Sequence, residues 1–253
     1  MPGELREWGG VTSEELGRIL VLSPHLDDAV LGCGHLLAAH PGTTVLTVFA
    51  GAPDAYPEPM TWWDQLAGFS PGDDPLDVRR REDVDALDEL GAKPVWLDFV
   101  EHQYLDRDDW LRPGAIVEAL EAAVRDVDPT MVVAPFGLAN PDHDCTHEAA
   151  LLVRERLPGP AWFCYEDTGY KHIPGLLAWR VARLFRSGVW PTPVVMPVAV
   201  DPAVKHAALS RYRSQLQALE SDWQLSTKQP ERDPGQYWRL ASPPDGWEGL
   251  AEL

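Results

Sequence analysis

The chain is short of positive charge: 21 Lys and Arg stand against 40 Asp and Glu, a formal net charge of −19. Such a surface argues against a nucleic-acid partner and against binding to anionic lipid. It also disfavours a strongly anionic substrate unless the site is locally basic. Cysteine is scarce too, with Cys33, Cys145 and Cys164 widely separated and no CxxC pair. An odd, scattered set suits a reducing compartment and gives no disulfide framework. No apolar run approaches the roughly 18 residues that a membrane span needs. Met1 to Gly10 contains Glu4 and Glu7 but no apolar stretch, so no signal peptide is expected and the protein is placed in the cytoplasm. Gly32-Cys33-Gly34 lacks the third glycine of a dinucleotide fingerprint and falls inside a helical pattern, which disfavours a nucleotide-binding reading.

What is present reads as one α/β domain over 1–253, with a core at 15–220 and an aromatic, proline-rich tail at 221–253. Arg18–Leu22 (RILVL) and Thr43–Phe49 (TTVLTVF) are apolar runs of the kind buried parallel strands show. Between them Asp28–His40 has helical spacing, closed by Pro41-Gly42, which completes a βαβ unit. Ala50–Pro75 is crowded with Pro, Gly and Asp and reads as a long surface loop carrying Trp62 and Trp63. Helices are expected at Asp77–Leu90, Pro113–Arg125 and Pro202–Glu220, and strands at Pro94–Phe99, Thr130–Ala134 and Met196–Val200. Alternating strands and helices predict a Rossmann-like three-layer sandwich with a mostly parallel sheet and a site at the carboxyl ends of its strands.

Chemistry-bearing residues fall at two of those ends. Ser23-Pro24-His25-Leu26-Asp27-Asp28 follows the first strand. An imidazole and a carboxylate three residues apart can reach one ion across a tight turn, and both are good ligands for Zn²⁺. The other carboxylate is then free to act as a base, although an Asp here can equally cap the helix. Asn140-Pro141-Asp142-His143-Asp144-Cys145-Thr146-His147 follows the fourth strand. His143 and His147 are four apart and share a helix face, while Asp142 or Asp144 can cap it. One His-Asp pair plus one further His gives three protein ligands and an open position for water, the pattern of a catalytic zinc site.

These two segments resemble the paired motifs of the PIG-L/LmbE-type N-acetylglucosaminyl deacetylases. Arg79-Arg80-Arg81-Glu82 with Leu90-Gly91, and Lys205-His206 with Ser214-Gln215, are similar to further family features. The resemblance implies zinc held by His25, Asp28 and His143, with Asp27 as general base. It places Arg79 against a substrate hydroxyl or phosphate. It also implies removal of an acyl group, acetyl above all, from the nitrogen of an amino sugar or glycosylated natural product. Asn140 stands where the family commonly has His and Ala29 where it has Glu, so Asn140 can donate a hydrogen bond to an oxyanion but no proton. Asp27, His147 and His172 are then the candidate donors to the leaving amine. Asp142 would orient His143, or cap the helix, and Trp62 and Trp63 would cover a sugar ring, or pack their own loop. A metal-dependent amidase acting on a non-sugar amide and a catalytically silent sugar-binding relative are the rival expectations.

Overall fold

The computed structural model describes residues 10–199 and 201–243. Its centre is a seven-stranded sheet in the order β3-β2-β1-β4-β5-β7-β6. The strands are β1 (Ile19–Ser23), β2 (Thr44–Thr47), β3 (Lys93–Trp96), β4 (Met131–Pro135), β5 (Ala161–Tyr165), β6 (Trp190–Val194) and β7 (Tyr237–Ala241). β1 to β5 run parallel, whereas β7 is antiparallel to both β5 and β6. Alternation along the strands divides the core in two. Val21, Val45 and Val133 face a layer containing Leu36, Leu87 and Leu209, and Leu20, Leu22 and Val132 face one containing Ile116, Leu120 and Val153. Apolar residues on both faces of every central strand are what a sheet covered by helices requires.

The helices are α1 (Asp28–Ala39), α2 (Trp62–Leu66), α3 (Pro75–Glu89), α4 (Pro113–Val127), α5 (Pro141–Arg156), α6 (Leu176–Arg186), α7 (Pro202–Leu209) and α8 (Arg213–Trp223). Several begin with a cap and a proline in the first turn: Asp74, Asn140 and Asp201 each accept a backbone N–H ahead of Pro75, Pro141 and Pro202. None of the helices among the described residues is long and apolar enough to cross a membrane. The chain leaves β1 toward β2 on one side and returns through β4 on the other. The loops after β1 and β4 therefore diverge at a topological switch point, where open α/β sheets bind ligands.

Several expectations need correction. The expected loop Ala50–Pro75 contains α2, started by the Thr61 hydroxyl accepting the Asp64 N–H at 3.1 Å. The expected helix Pro202–Glu220 is two helices. Glu82 accepts the Ser214 N–H at 3.0 Å and its hydroxyl at 2.6 Å, and so starts α8 afresh. No strand forms at 195–199, and Val200 lies outside the described residues. The edge strand is β6 instead, whose Pro191 and Pro193 are tolerated because β6 ends the sheet. The tail is not an appendage, since β7 lies between β5 and β6. Trp247 and the N-terminal residues 1–9 lie outside the described residues.

The glycines that hint at a nucleotide fingerprint have a packing role. A Cβ on Gly32 would lie 2.5 Å from the Tyr165 ring, and one on Gly34 2.7 Å from the Lys205 methylenes. Tyr165 is 1% exposed and donates its hydroxyl to the Leu22 carbonyl, so its ring cannot retreat. Gly32→Ala is expected to lower the unfolding free energy by about 1–3 kcal/mol through overpacking, despite a helix-propensity gain of about 1 kcal/mol. Urea unfolding measures it, and a stabilised variant would contradict this packing.

Candidate active site

The turn after β1 is built by side chains. Ser23 donates its hydroxyl to the His25 carbonyl at 2.6 Å and accepts the Ala29 N–H at 3.0 Å. Asp28 Oδ2 accepts the His25 N–H at 2.9 Å, which folds the carboxylate back beside its own imidazole. Asp27 occupies the cap position of α1, yet its side chain makes no capping hydrogen bond. The bond network therefore divides the adjacent acids: Asp28 is engaged through Oδ2, and Asp27 lines the cavity with no hydrogen bond to its carboxylate from the described residues.

The link after β4 brings the second motif to the same point. Gly137 has φ of +73°, and a Cβ there would lie 2.5 Å from His147 Cβ, so this position favours glycine on both counts. Its carbonyl is held by Arg180, which also pairs with Asp144 and Glu148. Asn140 then starts α5, its Oδ1 accepting the Asp142 N–H at 2.8 Å, which turns Nδ2 toward the Tyr170 hydroxyl at 3.5 Å.

The result is a triad centred on one oxygen. His25 Nδ1 and His143 Nε2 each lie 3.1 Å from Asp28 Oδ2. One donor atom from each of the three residues falls within a 4.8 Å span, which fits a small divalent cation. The other nitrogen of each imidazole is taken by a different buried carboxylate. His25 Nε2 meets Asp142 at 3.0 Å, and His143 Nδ1 meets Asp167 at 2.5 Å. Carboxylates behind both imidazoles hold the rings so that their other nitrogens face Asp28, the usual support of metal-binding histidines. Two nitrogens and one carboxylate oxygen suit zinc chemistry.

Electrostatics divides the neighbouring acids. Burial raises Asp27 to about 8, with the adjacent Asp28 charge adding to the effect. Burial would also raise Asp28, but His143 and His25 overcome it and hold that carboxylate well below the usual range. His143 is opposed by burial yet raised to about 9 by Asp28 and Asp167, and His25 is raised by Asp142 and Asp28 against the same penalty.

The site opens into a cavity of about 390 Å³, enough for a sugar ring. Its walls come from the ends of all five parallel strands. Besides the two motifs they include Glu101 and His102 after β3, Tyr170 after β5, and Trp62 and Trp63 on α2. Trp62 is 61% exposed at the mouth, and Trp63 donates Nε1 to Gln215 of α8 at 3.2 Å. Trp223 stacks edge-on against Tyr170 with ring centroids 4.4 Å apart.

Four expected residues take other positions. Arg79 does not line the cavity; it is 1% exposed and donates to Asp64 at 2.7 Å and to Tyr104 at 3.1 Å. Its guanidinium ties α2 to the loop after β3, away from the cavity wall. Asp142 does not orient His143: it holds His25 and also accepts His102 Nδ1 at 2.8 Å and the His102 N–H at 3.1 Å. Asp167 takes the expected role at His143, a residue that sequence reasoning missed together with Glu101, His102 and Tyr170. All four follow β3 or β5, so the rule that directed attention to the ends of β1 and β4 would have found them. His147 is fully buried, gives its Nδ1 hydrogen to the Pro135 carbonyl at 2.8 Å, and is pushed down to about 3 by burial and Arg180. His172 is exposed and lies outside the cavity wall, so neither it nor His147 is placed to protonate a substrate.

These features together place a candidate cation-binding triad in a cavity on an α/β sheet. The family profile described as PIG-L: GlcNAc-PI de-N-acetylase matches residues 20–153, and the chain belongs to that family. It is 33% identical over 172 residues to the 2'-N-acetylparomamine deacetylase of Streptomyces fradiae, an alignment covering 61% of this chain and 58% of that protein. Among solved structures, the A40926 pseudoaglycone deacetylase is 29% identical with a TM-score of 0.70, covering 88% of this chain and 96% of that one. The zinc-inhibited form of a teicoplanin deacetylase is 25% identical with a TM-score of 0.71, covering 90% and 100%.

Removing Arg79 would leave Asp64, which is 0% exposed, without its buried partner. Arg79→Met is expected to cost about 3–5 kcal/mol of stability, with Asp64→Leu in the same chain recovering part of it. Denaturant unfolding reads both. Unchanged stability with a raised KM would instead put Arg79 on the substrate.

Proposed function

We propose that the protein is a zinc-dependent hydrolase that removes an N-acyl group, acetyl by preference, from an amino sugar of a glycosylated natural product. The observation that carries this reading is the unbonded Asp27 carboxylate lining the same cavity as the His25, Asp28 and His143 donor atoms. Family membership and relatives named as deacetylases of paromamine, A40926 pseudoaglycone and teicoplanin support it. Among the described residues no Lys or Arg lines the cavity, which suits a neutral or cationic glycoside.

Zinc held by His25, Asp28 and His143 would supply Lewis-acid polarisation of the amide carbonyl and a water acidic enough to be deprotonated near neutral pH. The remaining chemistry belongs to the chain. Asp27, not committed to any hydrogen bond, accepts the proton of the attacking water. Asn140 Nδ2, fixed because its Oδ1 caps α5, donates to the oxygen that becomes negative, a contact worth about 3–4 kcal/mol in the transition state. Asp142 and Asp167 hold the two imidazoles in orientation. Trp62, Trp63, Tyr170 and Trp223 offer faces and edges to a sugar ring and narrow the access of bulk water.

Metal analysis of the purified protein should find about one zinc per chain, lost in His143→Ala. Asp27→Asn should keep the metal but lose about 10²–10⁴-fold in amine release from N-acetyl glycosides. A protein with no zinc in either form would overturn the hydrolase reading. Asp28 and Asp167 raise His143 above the usual imidazole range, so zinc binding at Nε2 must displace protons. Calorimetric heats of zinc binding should therefore vary with the protonation enthalpy of the buffer, and buffer-independent heats would contradict this.

A further inference from the structure

The deacylation reading leaves one requirement open: the departing nitrogen needs a proton. Asn140 has none to give, His147 is buried away from the cavity, and His172 lies outside its wall. Tyr170 lines the cavity, but burial raises its phenol and makes it a reluctant donor. We propose that His102, from the loop after β3, is the general acid that protonates the leaving amine.

The geometry of His102 fits this role. Its Nδ1 lies 2.8 Å from Asp142 Oδ2 and its backbone N–H donates to the same carboxylate, so both main chain and ring are anchored to one acid. Trp110 stands edge-on to the ring at 5.2 Å and 84°, which limits its rotation about that bond. The imidazole lines the cavity beside His25, Asp27 and Asn140, and its side chain is 23% exposed. With Nδ1 committed to Asp142, Nε2 is the nitrogen left for a ligand in the cavity that His102 lines. A carboxylate behind the distal nitrogen of a cavity imidazole is the arrangement that supports the protonated ring in acid–base catalysis.

Asp142 thereby serves two imidazoles at once. Through His25 it steadies the triad, and through His102 it fixes the orientation of the second ring. The proton balance is complete. Water loses a proton to Asp27 as its oxygen bonds to the amide carbon. The C–N bond then breaks, and the electron pair left on nitrogen takes the Nε2 proton of His102. Afterwards His102 regains a proton from solvent and Asp27 releases the one it took. Dividing the two transfers between two residues spares Asp27 from carrying its proton across the cavity.

The assignment rests on the deacylation reading, and the test separates the two. His102→Gln is compared with wild type on an N-acetyl glycoside and on the matching O-acetyl ester, with zinc content and unfolding midpoint measured for each protein. An alkoxide leaves far more readily than an unprotonated amine, so a lost acid slows the amide and largely spares the ester. The expected result is an unchanged zinc content, a fall of about 10²–10⁴-fold in kcat for the amide and a far smaller fall for the ester. Added imidazole should restore part of the amide rate to His102→Ala. Equal losses on amide and ester would reduce His102 to a support for Asp142, and no loss on the amide would return both transfers to Asp27. Either would overturn the proposal. Absence of any wild-type turnover on both compounds would overturn the deacylation reading, and this assignment with it.

Discussion

The arrangement depends on Asp28, whose single oxygen lies between the imidazoles of His25 and His143 at equal distance. Several carboxylates surround that point with little exposure: Asp27, Asp142, Asp167 and Glu101 are all buried. Moving so much negative charge out of water is expensive unless something of opposite sign repays it. The two imidazoles serve this end, each raised by the acids at its flanks. A divalent cation would serve better, because it takes the lone pairs of both rings and the charge of Asp28 together. The same charge distribution forces the adjacent Asp27 upward while Asp28 is held down. Two adjacent acids with opposite shifts are a recurrent way of assigning acid and base roles within one fold.

The fold supports that point from several directions. The switch between β1 and β4 opens the crevice, and every parallel strand sends a loop to its rim. Buried ion pairs tie those loops together. Arg79 joins α2 to the loop after β3, and Arg180 clamps the link after β4 to α5. These bridges are stiff, since breaking one leaves a desolvated charge behind. Trp62, by contrast, stands exposed at the mouth of the cavity.

The parallel sheet and both halves of the triad were legible because their signals are local. Buried strands show as apolar runs, and His25, Asp28 and His143 sit directly after two of them. The cap of α5 by Asn140 and the fresh start of α8 at Ser214 depend on partners near and far: Asp142 is two residues away, but Glu82 lies more than a hundred residues back. Arg79 looked available for substrate because sequence cannot show that Asp64 consumes its charge. Asp142 looked paired with its neighbour His143, but the helix turns it toward His25 and His102 instead. β7 was hidden for a related reason: Tyr237–Ala241 becomes a strand only because β5 and β6 leave a place between them. β6 itself carries two prolines that argue against a strand anywhere except at an edge.

The most direct test of the central claim is the zinc environment itself, read by X-ray absorption at the zinc edge on the loaded protein. The account predicts two imidazole nitrogens at about 2.0–2.1 Å and carboxylate oxygen at about 2.0–2.2 Å, with one imidazole lost from the shell in His143→Ala. A shell containing sulfur, or one unaltered by that substitution, would mean that the metal lies elsewhere and that the Asp28 triad is not its site.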